Sequence, residues 1–359
     1  MTKTTDGRLA YADLLRCCAS LAVIFIHVCG GSFAAYTAGS AGWNVLNVFD
    51  SLAHWCVPVF IMLSGMFMLD PKKSMPLPSL LFKHLLRILA ALFFWGVVYA
   101  VVGFLLAGNA MSLGGLVSCL KTVLWGNTRY HLWFLYTIAG LYLITPILRS
   151  FVKGASRGDF HYFFLLIFLL CSVLSLALRL RPSQTASFWL RSLYLGELAQ
   201  VGLCYVGCYV AGYYLKNFTL GRIAEMVIYL LGILGAVTTV AGTNYLAVQM
   251  GNPNFVLYEY NSPNVLFMAV AIFVLFRYVL GVSEERGRRR SVSAVARVSF
   301  GIYLVHDLFL ILLRGFGITA ATAGSPAVTV PLISMGVFLC SFGAAWLISK
   351  IPFVGKYIT

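Results

Sequence analysis

Stretches of about 20 apolar residues recur along this chain, and that recurrence limits its fold more than any single motif. They fall near 14–36, 51–69, 85–107, 131–148, 160–179, 197–215, 223–243, 263–281, 299–317 and 328–349. At ~1.5 Å of rise per residue, each can cross the ~30 Å hydrocarbon core of a bilayer as an α-helix. Composition agrees: of 359 residues, 60% are hydrophobic and only 10% charged. A soluble domain could not hide that apolar surface, whereas lipid would solvate it. The expected fold is all-α, a polytopic membrane helix bundle of about ten transmembrane helices, forming a single domain over residues 1–359. No tandem repeat or second soluble domain interrupts the pattern, and the first apolar run starts late and is too long for a cleavable signal peptide.

Charge distribution sets the expected orientation. An even number of spans puts both termini on one side. With the amino terminus inside, all 26 Lys and Arg residues except Lys121, Arg129, Arg179, Arg181, Arg191 and Arg314 fall on inner loops, ends or flanks. The positive-inside rule therefore places both termini in the cytoplasm and reads the net charge of +15 as topology, not nucleic-acid binding. Within the inner segment 283–297, Glu284-Glu-Arg-Gly-Arg-Arg-Arg290 reads as an anchor beside anionic membrane lipid. The segments 39–50, 111–125 and 245–260 are expected as outer connections. Most of the nine cysteines lie in apolar runs without metal-ligand spacing, which predicts neither a disulfide framework nor a metal site.

Polar residues inside the spans carry the functional information, because they are costly there unless partnered or hydrated. In the first span, Arg16 and His27 are eleven residues apart. At ~100° and ~1.5 Å per residue they share one helix face, on the order of 16 Å apart, with Ser20 and Val23 between them. His27 is either a functional imidazole or a packing residue bonded to a neighbouring helix. Asp13 stands three residues before Arg16, placed for an ion pair or for the positive end of the helix dipole. The second span contains His54, a kinking Pro58 and Gly65, which permits close helix approach. Lys83 and Arg87 are four apart on one helical face, either to hold phosphates or to snorkel at the membrane edge. Tyr130, His131 and Trp133 open the fourth span, Glu197 and Gln200 the sixth, and Tyr303, His306 and Asp307 lie within the ninth. Together these groups predict a hydrated cavity.

Five motifs in series resemble the acyltransferase-3 family of integral membrane O-acyltransferases, over essentially the whole chain. They are Asp13-Leu-Leu-Arg16 followed by His27, Val57-Pro-Val-Phe-Ile-Met-Leu-Ser-Gly65, Phe82-Lys-His-Leu-Leu-Arg-Ile88, His131-Leu-Trp-Phe-Leu135 and Ser299-Phe-Gly-Ile-Tyr-Leu-Val-His306. Within the family the chain is most similar to short bacterial O-acetyltransferases of surface polysaccharides, of the enterobacterial common antigen type. It also resembles the membrane half of the serine racemases of glycopeptide resistance. The resemblance implies a bacterial cytoplasmic membrane, acetyl-CoA or another acyl-CoA as cytosolic donor, and a glycan or lipid-linked sugar hydroxyl as acceptor. It implies His27 as the catalytic histidine and Arg16 as a charge at the donor end. His84 stands where a further Arg or Lys is common, and Asp307 where an apolar residue or proline is usual.

Joining both readings, the catalytic candidates are His27 and Asp13, and the donor-binding candidates Arg16, Lys83 and Arg87. The acceptor-side candidates are His54, Tyr130, His131, Trp133, Glu197, Tyr303 and His306, which with Asp50 and Glu259 stand either to line a pocket or to stabilise loops. No metal is expected. Neutral His27 would act as general base on the acceptor hydroxyl. The alternative is a proton-coupled transporter or exporter of an envelope precursor with His27 as proton relay, although the sequence shows no matched pair of Gly/Pro-interrupted spans.

Overall fold

A computed structural model describes residues 9–126, 129–180, 197–280, 290–352 and 355–359, without the side chains of 197–201 and 290. Among these residues the chain is helical, with no strand, and nine helical segments are long and apolar enough to cross a membrane. The one expected span outside those nine is the sixth, 197–215; it corresponds to the helix Glu197–Asn217, whose opening side chains lie outside the described residues.

Helix α1 (Ala10–Gly30) is the hub, packing against α3 (Cys56–Met68), α11 (Arg290–Gly315) and α12 (Pro326–Ser349). Between α1 and α3 the structure departs from expectation. Residues 41–50, read from sequence as part of an outer connection, form α2 (Ala41–Ser51). Ser40 caps it, its hydroxyl accepting the Trp43 N–H, and it buries Trp43, Leu46, Asn47 and Asp50, the i, i+3, i+4, i+7 stripe of a helix. Half of that stripe is polar, so hydropathy passes it over. The chain turns at 52–55 before α3 begins, just ahead of Pro58, which offers no N–H to the preceding turn and whose ring crowds it.

After α3 come α4 (Leu86–Leu106), α5 (Leu113–Leu124), α6 (Trp133–Gly154) and α7 (Arg157–Ile167), then α8 (Glu197–Asn217), α9 (Arg222–Met250) and α10 (Pro263–Leu275). A π-helical turn, Leu80–Leu85, leads into α4, and others extend α7 and α10 at Phe168–Val173 and Phe276–Leu280. Helices α3 and α8 cross backbone to backbone. A Cβ on Gly65 would stand 1.8 Å from the Tyr209 carbonyl oxygen, and one on Gly212 equally close to that of Met62. Only glycine allows this approach. Ion pairs and caps tie the same end of the bundle: Lys216 Nζ meets Asp70 Oδ2 at 2.8 Å, and Arg149 donates to the Met68 and Lys73 carbonyls at 2.8 and 2.5 Å. The outer face of α9 presents Ile223, Leu230, Ile233, Leu234 and Val237, a surface that lipid rather than water would cover.

Candidate active site

The bundle encloses a cavity of about 360 Å³ between α1, α3, α4, α6 and α11, within the roughly 300–1,000 Å³ range of small-molecule sites. The first helix builds its spine: Arg16, Val23, Ile26 and His27 all line it. These positions share a face because α1 is unbroken over three turns. Ser20 is buried instead, its hydroxyl returning to the Arg16 carbonyl at 2.9 Å.

At the Arg16 end the wall is cationic. Arg16, Arg87 and Arg297 supply the charge, with His84, Phe300 and Tyr142 between them on the lining. Arg16 approaches Asp13 at 3.4 Å and lies over the Phe67 ring, 4.9 Å from its centroid, a ring that Lys73 and Lys216 also approach. Arg87 donates to the Thr359 carbonyl at 2.5 Å and rests over Phe300. The segment entering α4 turns His84, Arg87 and Ile88 toward the cavity, at i, i+3 and i+4. Lys83 lies a turn earlier than Arg87, exposed and outside the lining. Asp13 is buried in the first turn of α1 and also lies outside it, fourteen residues below His27. It pairs with Arg16 at 3.4 Å and stands about four helical turns from the imidazole.

At the far end the cavity reaches an imidazole cluster. The ring of His27 stacks on His306 at 5.1 Å, meets Tyr130 edge-on at 5.0 Å and lies 6.3 Å from His131. His131 packs between Tyr99 and Tyr303, its backbone carbonyl accepting the Tyr303 hydroxyl, and neither ring nitrogen has a hydrogen-bond partner among the described residues. His306 holds Nδ1 2.6 Å from the Tyr303 carbonyl. A carbonyl only accepts, so Nδ1 carries the proton and Nε2 presents a lone pair, buried without a partner among the described residues. Trp133 stacks between Tyr205 and Tyr260, and both Trp133 and Tyr260 line the cavity. Buried polar atoms without partners, beside a cavity, are groups a bound molecule can satisfy.

The structure thus gathers Tyr130, His131 and His306 around His27, and puts His131, Trp133 and Tyr303 on the wall of the same cavity. It does not bring His54 there. Its ring stacks behind the lining Tyr260 at 5.6 Å and against Tyr258 at 4.3 Å, with Nδ1 2.8 Å from the Asp50 carbonyl, in a buried network that adjoins the cavity wall. There Tyr258 donates to Asn47 Oδ1 at 2.6 Å, and Asn47 donates to the Val240 carbonyl. Glu259 pairs with Arg179 at 3.3 Å. The side chain of Glu197 lies outside the described residues. Arg297, Tyr142 and Tyr260 are lining residues that sequence reasoning missed. For Arg297 the signal was available: it precedes Phe300 by three and so shares its helix face, but the neighbouring arginines submerged it in an apparent lipid anchor.

In a multi-pass membrane protein, an internal cavity that joins a cationic end to a buried imidazole cluster can hold a polar, anionic molecule. Residues 9–350 match the acyltransferase domain of the acyltransferase-3 family, and the chain belongs to that family of membrane acyltransferases. No match is found among curated proteins or among solved structures.

Proposed function

We propose that this acyltransferase moves an acetyl group from acetyl-CoA to a hydroxyl of a cell-envelope sugar or lipid-linked glycan, with His27 as general base. The observation that carries this reading is the single cavity shared by Arg16, His84, Arg87 and Arg297 at one end and His27 at the other. The cationic end suits the phosphates of a nucleotide thioester. The ~16 Å of helix between Arg16 and His27 suits its extended arm. The Arg16 end then faces the cytoplasm of a bacterial cell, in keeping with the positive-inside rule.

His27 takes the proton of the acceptor hydroxyl as its oxygen attacks the acyl carbon, and returns that proton to the departing thiolate. Trp133 and Tyr260 form a flat aromatic wall beside the reacting atoms, and His131 offers polar contacts that the protein itself leaves unused.

The decisive experiment follows labelled acetyl from acetyl-CoA into envelope fractions, with wild-type protein and with His27→Ala. Losing a placed general base lowers transfer roughly 10²–10⁴-fold, with elution and melting behaviour unchanged. Ordinary turnover by a folded His27→Ala protein would overturn the assignment. Proton-driven uptake without thiol release would replace transfer with transport.

A further inference from the structure

Asp307 has no part in the reaction above, yet it is fully buried on α11 beside His306. Its two oxygens are taken by different donors: Arg129 Nε at 2.5 Å and the Tyr130 hydroxyl at 2.9 Å. The Arg129 guanidinium also covers the Tyr130 ring, 5.0 Å from its centroid. Tyr130 is therefore held at its hydroxyl and across its face. Its ring meets His27 edge-on at 5.0 Å. His27 lines the cavity, whereas Tyr130 does not and is 46% exposed. The half-exposed Tyr130 ring, next in sequence to Arg129, thus stands edge-on against the imidazole.

A carboxylate buried in a membrane protein is expensive unless donors satisfy it. Here the donors are adjacent residues, so what the carboxylate fixes is the turn that presents Tyr130. We propose that Asp307 is a positioning residue: it hangs Tyr130 as a cover over His27, and the acceptor alcohol enters from the Arg129 end by lifting that ring. This inference rests on the acyl-transfer reading. With the cover in place, water from that end is kept from a thioester beside His27. With the cover loose, water takes the alcohol's part: its oxygen attacks the acyl carbon, the C–S bond breaks, one proton passes through His27 to the thiolate and the acetic acid formed loses the other to solvent, giving acetate and free thiol.

Two variants test this. Tyr130→Phe keeps the ring and removes only the hydroxyl hung on Asp307, and Asp307→Asn keeps the shape and removes the charge. Purified protein is given acetyl-CoA alone and thiol release is followed; acetyl transfer is measured in native membrane vesicles. A hydrogen bond to a charged group shifts an equilibrium roughly 10- to 100-fold. Acceptor-independent thiol release should rise by about that factor relative to transfer, with the KM for acetyl-CoA unchanged. Thiol release that stays level, or falls in step with transfer, would show that Asp307 only supports the fold. Should Asp307→Asn fail to fold, Tyr130→Phe decides alone. Wild-type protein that neither releases thiol nor moves acetyl would instead overturn the acyl-transfer reading beneath it.

Discussion

Gly65→Ala probes the crossing that holds the cavity wall. The added Cβ would stand 1.8 Å from the Tyr209 carbonyl oxygen, while ordinary contact begins near 3.4 Å, so α3 and α8 must part by the difference, 1.6 Å. Neither partner can yield locally, because the obstacle is backbone. Separation of that size would strain two links from α8: the 3.0 Å contact between the Tyr209 and Thr145 hydroxyls, and the Lys216–Asp70 ion pair. Overpacking of this kind costs roughly 1–3 kcal/mol. At roughly 2 °C per kcal/mol for a chain this long, the melting temperature in detergent should fall by roughly 2–6 °C. Gly103→Ala and Gly140→Ala are the controls: nothing lies within 4 Å of the added atom in either. Removing a helix-interior glycine there should leave stability level or raise it by up to ~1 kcal/mol. Because Ser64 and Phe67 of α3 line the cavity on either side of Gly65, transfer activity should fall with stability. A Gly65→Ala protein melting at or above the wild-type temperature would refute the close crossing.

The two cations entering α4 should separate kinetically. Arg87→Ala should raise the KM for acetyl-CoA roughly 10- to 100-fold, while Lys83→Ala, exposed and outside the lining, should change it less than about twofold; equal effects would contradict the cavity geometry. The Asp70–Lys216 strut should be pH-dependent. Burial raises the Asp70 carboxyl, but hydrogen bonds from the Lys216 side chain and the Lys72 N–H, with the Lys73 charge, outweigh it and hold it below the ordinary carboxylate range. A depressed folded value contributes stability above the unfolded value of ~3.9 and loses it as pH falls through the folded one. The melting advantage of wild type over Asp70→Asn should thus be level from about pH 5 to 7 and shrink below about pH 4; an advantage that persists in acid would sink this account.

Hydropathy reports which surfaces lipid covers, and for that reason it located most of the spans and could not see α2. The buried face of α2 is half polar, with Asn47 and Asp50 inside, and a polar stripe turned inward looks in sequence like a loop turned outward. The same limit explains the pattern within the site. Arg16 and His27 were legible as a pair because one unbroken helix relates them, so spacing alone fixes their common face. Every other relation to His27 crosses between helices. Asp307 meets Arg129 and Tyr130 across nearly half the chain, and His54, as promising in sequence as His131, is held one ring behind the wall by Tyr258, Asp50 and the lining Tyr260. Inside a membrane protein a polar residue announces that it has a partner without naming it. Sequence can therefore say which residues are exceptions to the lipid pattern, but only packing decides which exceptions meet. That is why the mouth and the base of the cavity could be read in advance, and the cover over His27 could not.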